Sequence, residues 1–327
     1  MKLNRLFILL VFFADVVFAG TVTVDIIEWQ VPYENSRPRD PYVAADGMVW
    51  FCGQSDAYIG VFDPASGEFK KYDMEDNERP HNLIVDDQGI VWYAGNTLGY
   101  IGRLDPATGE IKKYQMPIDD VRDPHTLVFD SKGDIWFTAQ QSNFVGKLFV
   151  NTGEVKVIEV PTSRSRPYGI WIDSKDRPWI ALFATNKLAT VDPVSFAIKE
   201  IELPRERTLP RRLVVTSDDT IWYVDYESGY LGQYNPGTTE IKEWLMPGKK
   251  QSRPYGMIVD DQDRIWFVET GLKPNRLIGF DSKIKEFVSE TDIPSGGKSI
   301  RHMYYHPDKQ AIWFGTDSNT IGRATLK

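Results

Sequence analysis

Residues 80–117 read Pro-His-Asn-Leu-Ile-Val-Asp-Asp-Gln-Gly-Ile-Val-Trp-Tyr-Ala-Gly-Asn-Thr-Leu-Gly-Tyr-Ile-Gly-Arg-Leu-Asp-Pro-Ala-Thr-Gly-Glu-Ile-Lys-Lys-Tyr-Gln-Met-Pro, and this stretch decides the fold. Leu83 and Val85 alternate with their neighbours ahead of an Asp86-Asp87-Gln88-Gly89 turn. A strand around Trp92 follows, then a third at residues 100–104, an Asp-Pro-x-Thr-Gly turn at residues 105–109 and a fourth strand at residues 110–114. Apolar alternation of period two marks strands, and clusters of Gly, Pro and Asp mark the turns between them. Four short antiparallel strands joined this way describe one propeller blade.

The same unit recurs along the chain. Trp50, Trp92, Trp136, Trp179, Trp222, Trp266 and Trp313 are separated by 42, 44, 43, 43, 44 and 47 residues, the period of a repeat architecture. Twelve residues before each Trp stands Pro38, Pro80, Pro124, Pro167, Pro210, Pro254 or, in the seventh repeat, Arg301. The constant offset predicts no insertion between the two markers. The seventh repeat ends on its third strand at residues 321–324 and lacks a fourth, whereas Ile26-Ile27-Glu28-Trp29-Gln30-Val31-Pro32 reads like the fourth strands at residues 111–117 and 241–247. The expectation is an all-β, seven-bladed propeller of four-stranded blades whose N-terminal strand completes the last blade, leaving no unpaired edge. A solenoid would need polar capping repeats, and neither end resembles one.

Ahead of the propeller, expected over residues 20–327, residues 1–19 carry Lys2 and Arg5, an apolar run at residues 6–14 and Val17-Phe18-Ala19 before Gly20. That order is the pattern of a secretory signal peptide cleaved after Ala19, and it predicts export to the periplasm or beyond the cell. The apolar run is interrupted by Asp15 and falls short of the roughly 20 residues a membrane span needs, so no membrane insertion is expected after cleavage. With Lys+Arg 38 against Asp+Glu 46 the net charge is −8, which disfavours nucleic acid as a partner. The lone Cys52 excludes an internal disulfide and Cys-rich zinc sites, and it reads as a core residue. A monomer is expected.

The residue after each marker should begin the innermost strand, so Arg39, His81, His125, Tyr168, Arg211, Tyr255 and His302 are expected to ring the mouth of the central channel. Three of the four histidines share this position. Either the mouth is merely wet and tolerates polar residues, or the ring binds and transforms a ligand. Arg39, Arg211, Arg212 and Arg301 converge near one end in this reading, and guanidinium groups bind carboxylate or phosphate through paired hydrogen bonds. The partner predicted is therefore an anionic or ester-containing small molecule, with Tyr168 and Tyr255 among its contacts. His302 is the candidate general base, with His81 or His125 as the second acid or base. The ends of the Trp strands return to the same rim with Asp225, Glu269 and Asp317, which either pair with the arginines or, with a histidine, hold a divalent cation. The contrasting reading is a noncatalytic propeller that binds a peptide, glycan or partner protein on the same rim.

The repeated Pro-(Tyr/His)-Gly-Ile, Trp-Phe and Ile-Gly-Arg elements, with Tyr-x-(Met/Leu)-Pro endings, resemble the virginiamycin B lyase, or streptogramin lyase, family through nearly all of residues 20–327. The resemblance implies a seven-bladed propeller and a magnesium-assisted elimination that opens an ester-linked ring. It implies His302 as the catalytic histidine. The family's metal-binding glutamate two residues earlier is Ile300 here, which offers no oxygen to magnesium. Asp317 stands in place of a second glutamate, Tyr255 in place of the histidine of the penultimate blade, and Arg39 in place of a tyrosine of the first.

Overall fold

The period-two segments become 28 strands among the described residues, grouped as seven four-stranded antiparallel sheets. The structure is a computed structural model that describes residues 21–75 and 77–327; the export signal read at residues 1–19 lies outside them. Six sheets use consecutive strands, and the seventh combines the first strand of the chain with the last three. Val24–Gln30 pairs antiparallel with Thr320–Leu326, from Val24 opposite Leu326 to Gln30 opposite Thr320, and closes the ring. Trp29 stacks on Trp313 across this seam with ring centroids 5.7 Å apart. Among the described residues no helix is long and apolar enough to cross a membrane.

The repeated motifs have packing reasons. In the third strand of most blades a glycine lies under the aromatic residue that follows the Trp: a Cβ on Gly102 would sit 2.1 Å from the Tyr93 ring, and one on Gly146 2.2 Å from Phe137. Two blades differ: in the fourth Ile180 stands opposite Ala189, the smaller side chain leaving room for a methyl group, and in the sixth the glycine, Gly279, lies under Trp266 itself. The first Asp of the turn serves two structural groups at once. Asp260 accepts the backbone N–H of Gln262 and Arg264 and the indole N–H of Trp266 at 2.8 Å, so the acidic turns are hairpin fasteners. Cys52 is fully buried in the core between the first two blades.

The innermost strands are Pro38–Val43, Pro80–Val85, Pro124–Phe129, Pro167–Ile172, Pro210–Val215, Pro254–Val259 and Met303–His306. In the first six the pairing slips just after the Pro, a β-bulge that sets two residues against one on the partner strand. Consequently the first and second residues after each Pro both reach toward the axis at the upper end of the channel, and the fourth does so at the lower end.

The seventh blade departs from the expected register. Trp313 pairs with Tyr304, nine positions earlier, whereas Trp92 pairs with Ile84, eight positions earlier. The extra residue is taken up by the turn containing the 3-10 segment Pro307–Lys309, closed by Gln310 at φ 44°. Ile300 therefore holds the place of the Pro, Arg301 the ring position, and His302 lies one residue deeper than its offset from Trp313 implies.

Candidate functional site

At the upper end, Arg39, His81, His125, Tyr168 and Tyr255 are all buried, and Arg211 is half-buried. The mouth, read from the sequence either as merely wet or as a ligand-binding ring, is closed by its own side chains. Arg39 Nη1 lies 3.0 Å from His81 Nε2 and donates to Gln54 Oε1 at 3.1 Å, while its Nε donates to Asp40 at 3.0 Å. A guanidinium only donates, so His81 Nε2 is an acceptor and its Nδ1 carries the hydrogen given to the His125 carbonyl at 3.2 Å. Both nitrogens of His81 are spent. The His81 and His125 rings lie 3.7 Å apart, His125 lies 4.1 Å from Tyr168, and Tyr168 hydrogen-bonds Tyr255 through their hydroxyls. Arg211 covers the Tyr255 ring at 3.3 Å and is flanked by Phe183 and Tyr226.

One residue deeper, Arg212 spans the channel. Its Nη1 donates to Thr126 Oγ1 of the third blade at 3.1 Å and its Nε to the Arg301 carbonyl of the seventh at 3.2 Å. Its Nη2 lies 3.8 Å from Asp40 of the first blade. Asn82 Nδ2 donates to the same carboxylate at 3.0 Å and its Oδ1 accepts Leu127 N–H at 2.8 Å. Burial alone would raise the Asp40 pKa, but Arg39, His302 and Arg212 outweigh it and hold the carboxyl below its ordinary range.

Burial and the arginines act on the imidazoles in the same direction. Burial, then Arg39 and the neighbouring His125, pushes His81 well below its ordinary value, and burial with Arg212 and Arg39 does the same to His125. His302 is lowered to about 3 by burial and Arg212, against the opposing pull of Asp40. All three are neutral at physiological pH. Burial raises the Tyr168 phenol to about 12; burial also opposes ionisation of Tyr255, but Arg211, Arg39 and Arg212 prevail and lower it.

This throat has more positive charge than its own groups neutralise. Arg39, Arg211 and Arg212 are placed against one contacted carboxylate, Asp40. Arg39 Nη2, Arg211 Nε, Arg212 Nη2, His125 Nε2 and His302 Nδ1 are buried without a hydrogen-bond partner. Buried polar groups are ordinarily satisfied, so these atoms mark a place for a ligand or water.

The three rim carboxylates are not brought together. Asp225 accepts Arg205 Nη2 at 2.8 Å and the Leu209 N–H at 3.0 Å. Glu269 is gripped by Arg276, its cross-strand partner, at 2.6 Å and by the Gly248 N–H at 2.6 Å. Asp317 takes both Nη atoms of Arg301, one at 2.6 Å, and Arg37 at 3.3 Å, which holds its pKa down despite burial. Among the described residues no three His, Cys, Asp or Glu side chains approach closely enough to hold a metal ion. With Ile300 fully buried and apolar beside them, the residues do not fit the magnesium site that the resemblance implies. Arg301 accordingly belongs to the rim, and its charge is answered by Asp317. The site includes groups that polarity at the ring positions did not reveal: Phe183, and the counter-ions Arg37, Arg205 and Arg276. The cross-strand position of Arg276 relative to Glu269 was a signal open to the sequence.

Fold and throat together define a seven-bladed β-propeller with a cationic, histidine-bearing axial site. The family model of the virginiamycin B lyase family matches residues 24–324, and the chain belongs to that family. It is similar to selenomethionine-substituted virginiamycin B lyase from Staphylococcus aureus, at 23% identity and TM-score 0.84, covering 93% of this chain and 100% of the other. A catalytically inactive histidine-to-alanine form of the S. aureus enzyme with quinupristin matches with the same values. The extracellular domain of what is described as a one component system of B. thetaiotaomicron matches at 15% identity and TM-score 0.71, over 92% of this chain and 42% of that one. No curated protein matches the chain.

Proposed function

We propose that the protein is an exported, streptogramin-lyase-like enzyme that takes an anionic or ester-containing small molecule at the throat and opens it by elimination. The observation that carries this reading is the surplus of guanidinium groups over carboxylates, with Arg39, Arg211 and Arg212 each keeping a buried, unpaired nitrogen. A carboxylate or ester carbonyl satisfies those donors, and a carboxylate also balances the charge. The arginines then stabilise the enolate formed when the proton beside the carbonyl is removed. His302 and His125 each keep a buried nitrogen without a partner, whereas His81 is occupied in orienting Arg39. In the proposed step neutral His302 accepts the carbon-bound proton, the carbon–oxygen bond breaks as the double bond forms, and the His302 imidazolium so formed returns that proton to the departing oxygen, with neutral His125 as its hydrogen-bonding neighbour. Bound anion offsets the arginines and returns basicity to the imidazoles, which are poor bases while the site is empty of charge partners.

With Ile300 at the glutamate position and Asp317 committed to Arg301 and Arg37, turnover is expected to be weak on a type B streptogramin and insensitive to chelators. The assay follows linear product with and without magnesium and chelator, beside calorimetric titration with small dicarboxylates. Efficient magnesium-dependent ring opening overturns the reading. The reading of residues 1–19 is checked by mass spectrometry of the mature protein, with Gly20 expected as its first residue. A noncatalytic, ligand-sensing reading is favoured by the closure of the upper ring, whose members bind each other. His302→Ala separates the two: an enzyme loses turnover and keeps its fold, whereas a sensor changes only in binding.

A further inference from the structure

Below the throat the channel is hollow. A cavity of about 250 Å³ is lined by Ile84, Val128, Trp171, Ile258 and the Tyr42–Tyr304 pair, whose ring centroids are 4.3 Å apart. These are the residues four after the Pro in their blades, or its counterpart in the seventh, so they form one collar around the axis. Tyr42, Val128, Trp171 and Tyr304 are half-buried, whereas five of the ring residues above, Arg39, His81, His125, Tyr168 and Tyr255, are buried, so the cavity is reached from the hairpin face, opposite the arginine mouth. His302 also lines it, and its Nδ1 is buried without a partner.

We infer that this cavity is a second ligand site, for a small single-ring aromatic molecule carrying one hydrogen-bonding group. An apolar wall gives a water too few of the two to four polar partners it needs, and an apolar cavity of ~150 Å³ already holds benzene. The larger volume here accommodates a substituted ring, and the aromatic collar supplies edge and face contacts to it. His302 Nδ1 is the polar atom of the lining that is buried without a partner, and this neutral imidazole receives the ring substituent, a phenolic hydroxyl or an indole N–H. The site differs from the arginine throat in its entrance, its polarity and its ligand, and His302 is the side chain that borders both.

The test is calorimetric and ligand-observed NMR titration of the intact protein with p-cresol, with toluene and with citrate. Submillimolar p-cresol binding is expected, about tenfold weaker for toluene, and unaffected by saturating citrate at the mouth. Ile258→Trp and Val128→Trp fill the cavity with the side chain that the fourth blade already carries at this position as Trp171, so both should fold. Each should weaken p-cresol at least tenfold while leaving citrate binding and the thermal midpoint near wild type. Absence of p-cresol binding to wild type, or equal binding by both Trp variants, overturns the second site, and toluene binding as tightly as p-cresol overturns the role given to His302. Loss of citrate binding alone speaks only against the arginine throat.

Discussion

The two halves of the central channel are built from the same seven strands only a few residues apart, yet the upper half is filled with charge and the lower half is hollow and apolar. The bulge explains the filling: above, each of six strands sends two residues toward the axis, and below only one. The residue types explain the chemistry. Arg212, Asp40, Asn82 and Thr126 answer one another across the ring, whereas Ile84, Val128 and Ile258 answer only to size. A propeller can thus carry a polar and an apolar axial compartment on one scaffold, separated by a single layer.

Breaking that layer should have the largest effect. Arg212→Met leaves Asp40 paired with Arg39 but strips the donors from Thr126 Oγ1 and the Arg301 carbonyl, and each buried polar group left without its partner costs about 1–3 kcal/mol. Urea denaturation measures it; a loss below about 1 kcal/mol would show that the layer does not hold the ring.

Acid should come next, through the channel histidines. The unfolded chain takes up protons on His81, His125 and His302 near pH 6.5, while the folded protein keeps all three neutral to well below that. Stability is therefore complete above pH 6.5 and falls as the pH drops through the window beneath it, by about 1.4 kcal/mol per pH unit for each histidine. Denaturant midpoints at pH 7.5, 6 and 5 follow the decline, and His125→Asn should make it shallower. A flat profile would mean that none of these imidazoles is held neutral.

The smallest effect belongs to the collar. Ile258→Val removes one methylene beside a space that is already empty, for an expected cost of about 0.5–1.5 kcal/mol with no pH dependence. A cost equal to that of Arg212→Met would erase the distinction between the halves.

The blades and their seam were legible because Trp spacing and period-two alternation report backbone geometry directly. The channel was legible in part. Six ring residues were placed correctly by their Pro, but the seventh blade lacks that Pro, and the extra residue near Gln310 lengthens the offset to Trp313 by one, so that counting back twelve puts His302 one layer too high. The polarity of Arg39, His81 and His125 left a wet mouth and a ligand-binding ring both open, since a one-dimensional pattern cannot say that polar side chains from neighbouring blades satisfy each other. Asp225, Glu269 and Asp317 lie at equivalent strand ends, yet each found an arginine nearer than it found the others. The collar escaped notice because apolar residues inside a propeller are ordinarily core.

The seam pairs Val24 with Leu326, so the first strand described must wait for a strand far along the chain to be synthesised before it finds its partner. Six blades assemble from neighbours in sequence, but the seventh stays three-stranded with an open edge until that meeting occurs. During that interval the vacancy accepts the same strand from another copy equally well, because the pairing is identical. Concentrated refolding should therefore yield exchanged dimers, and dilution should favour the self-closed ring.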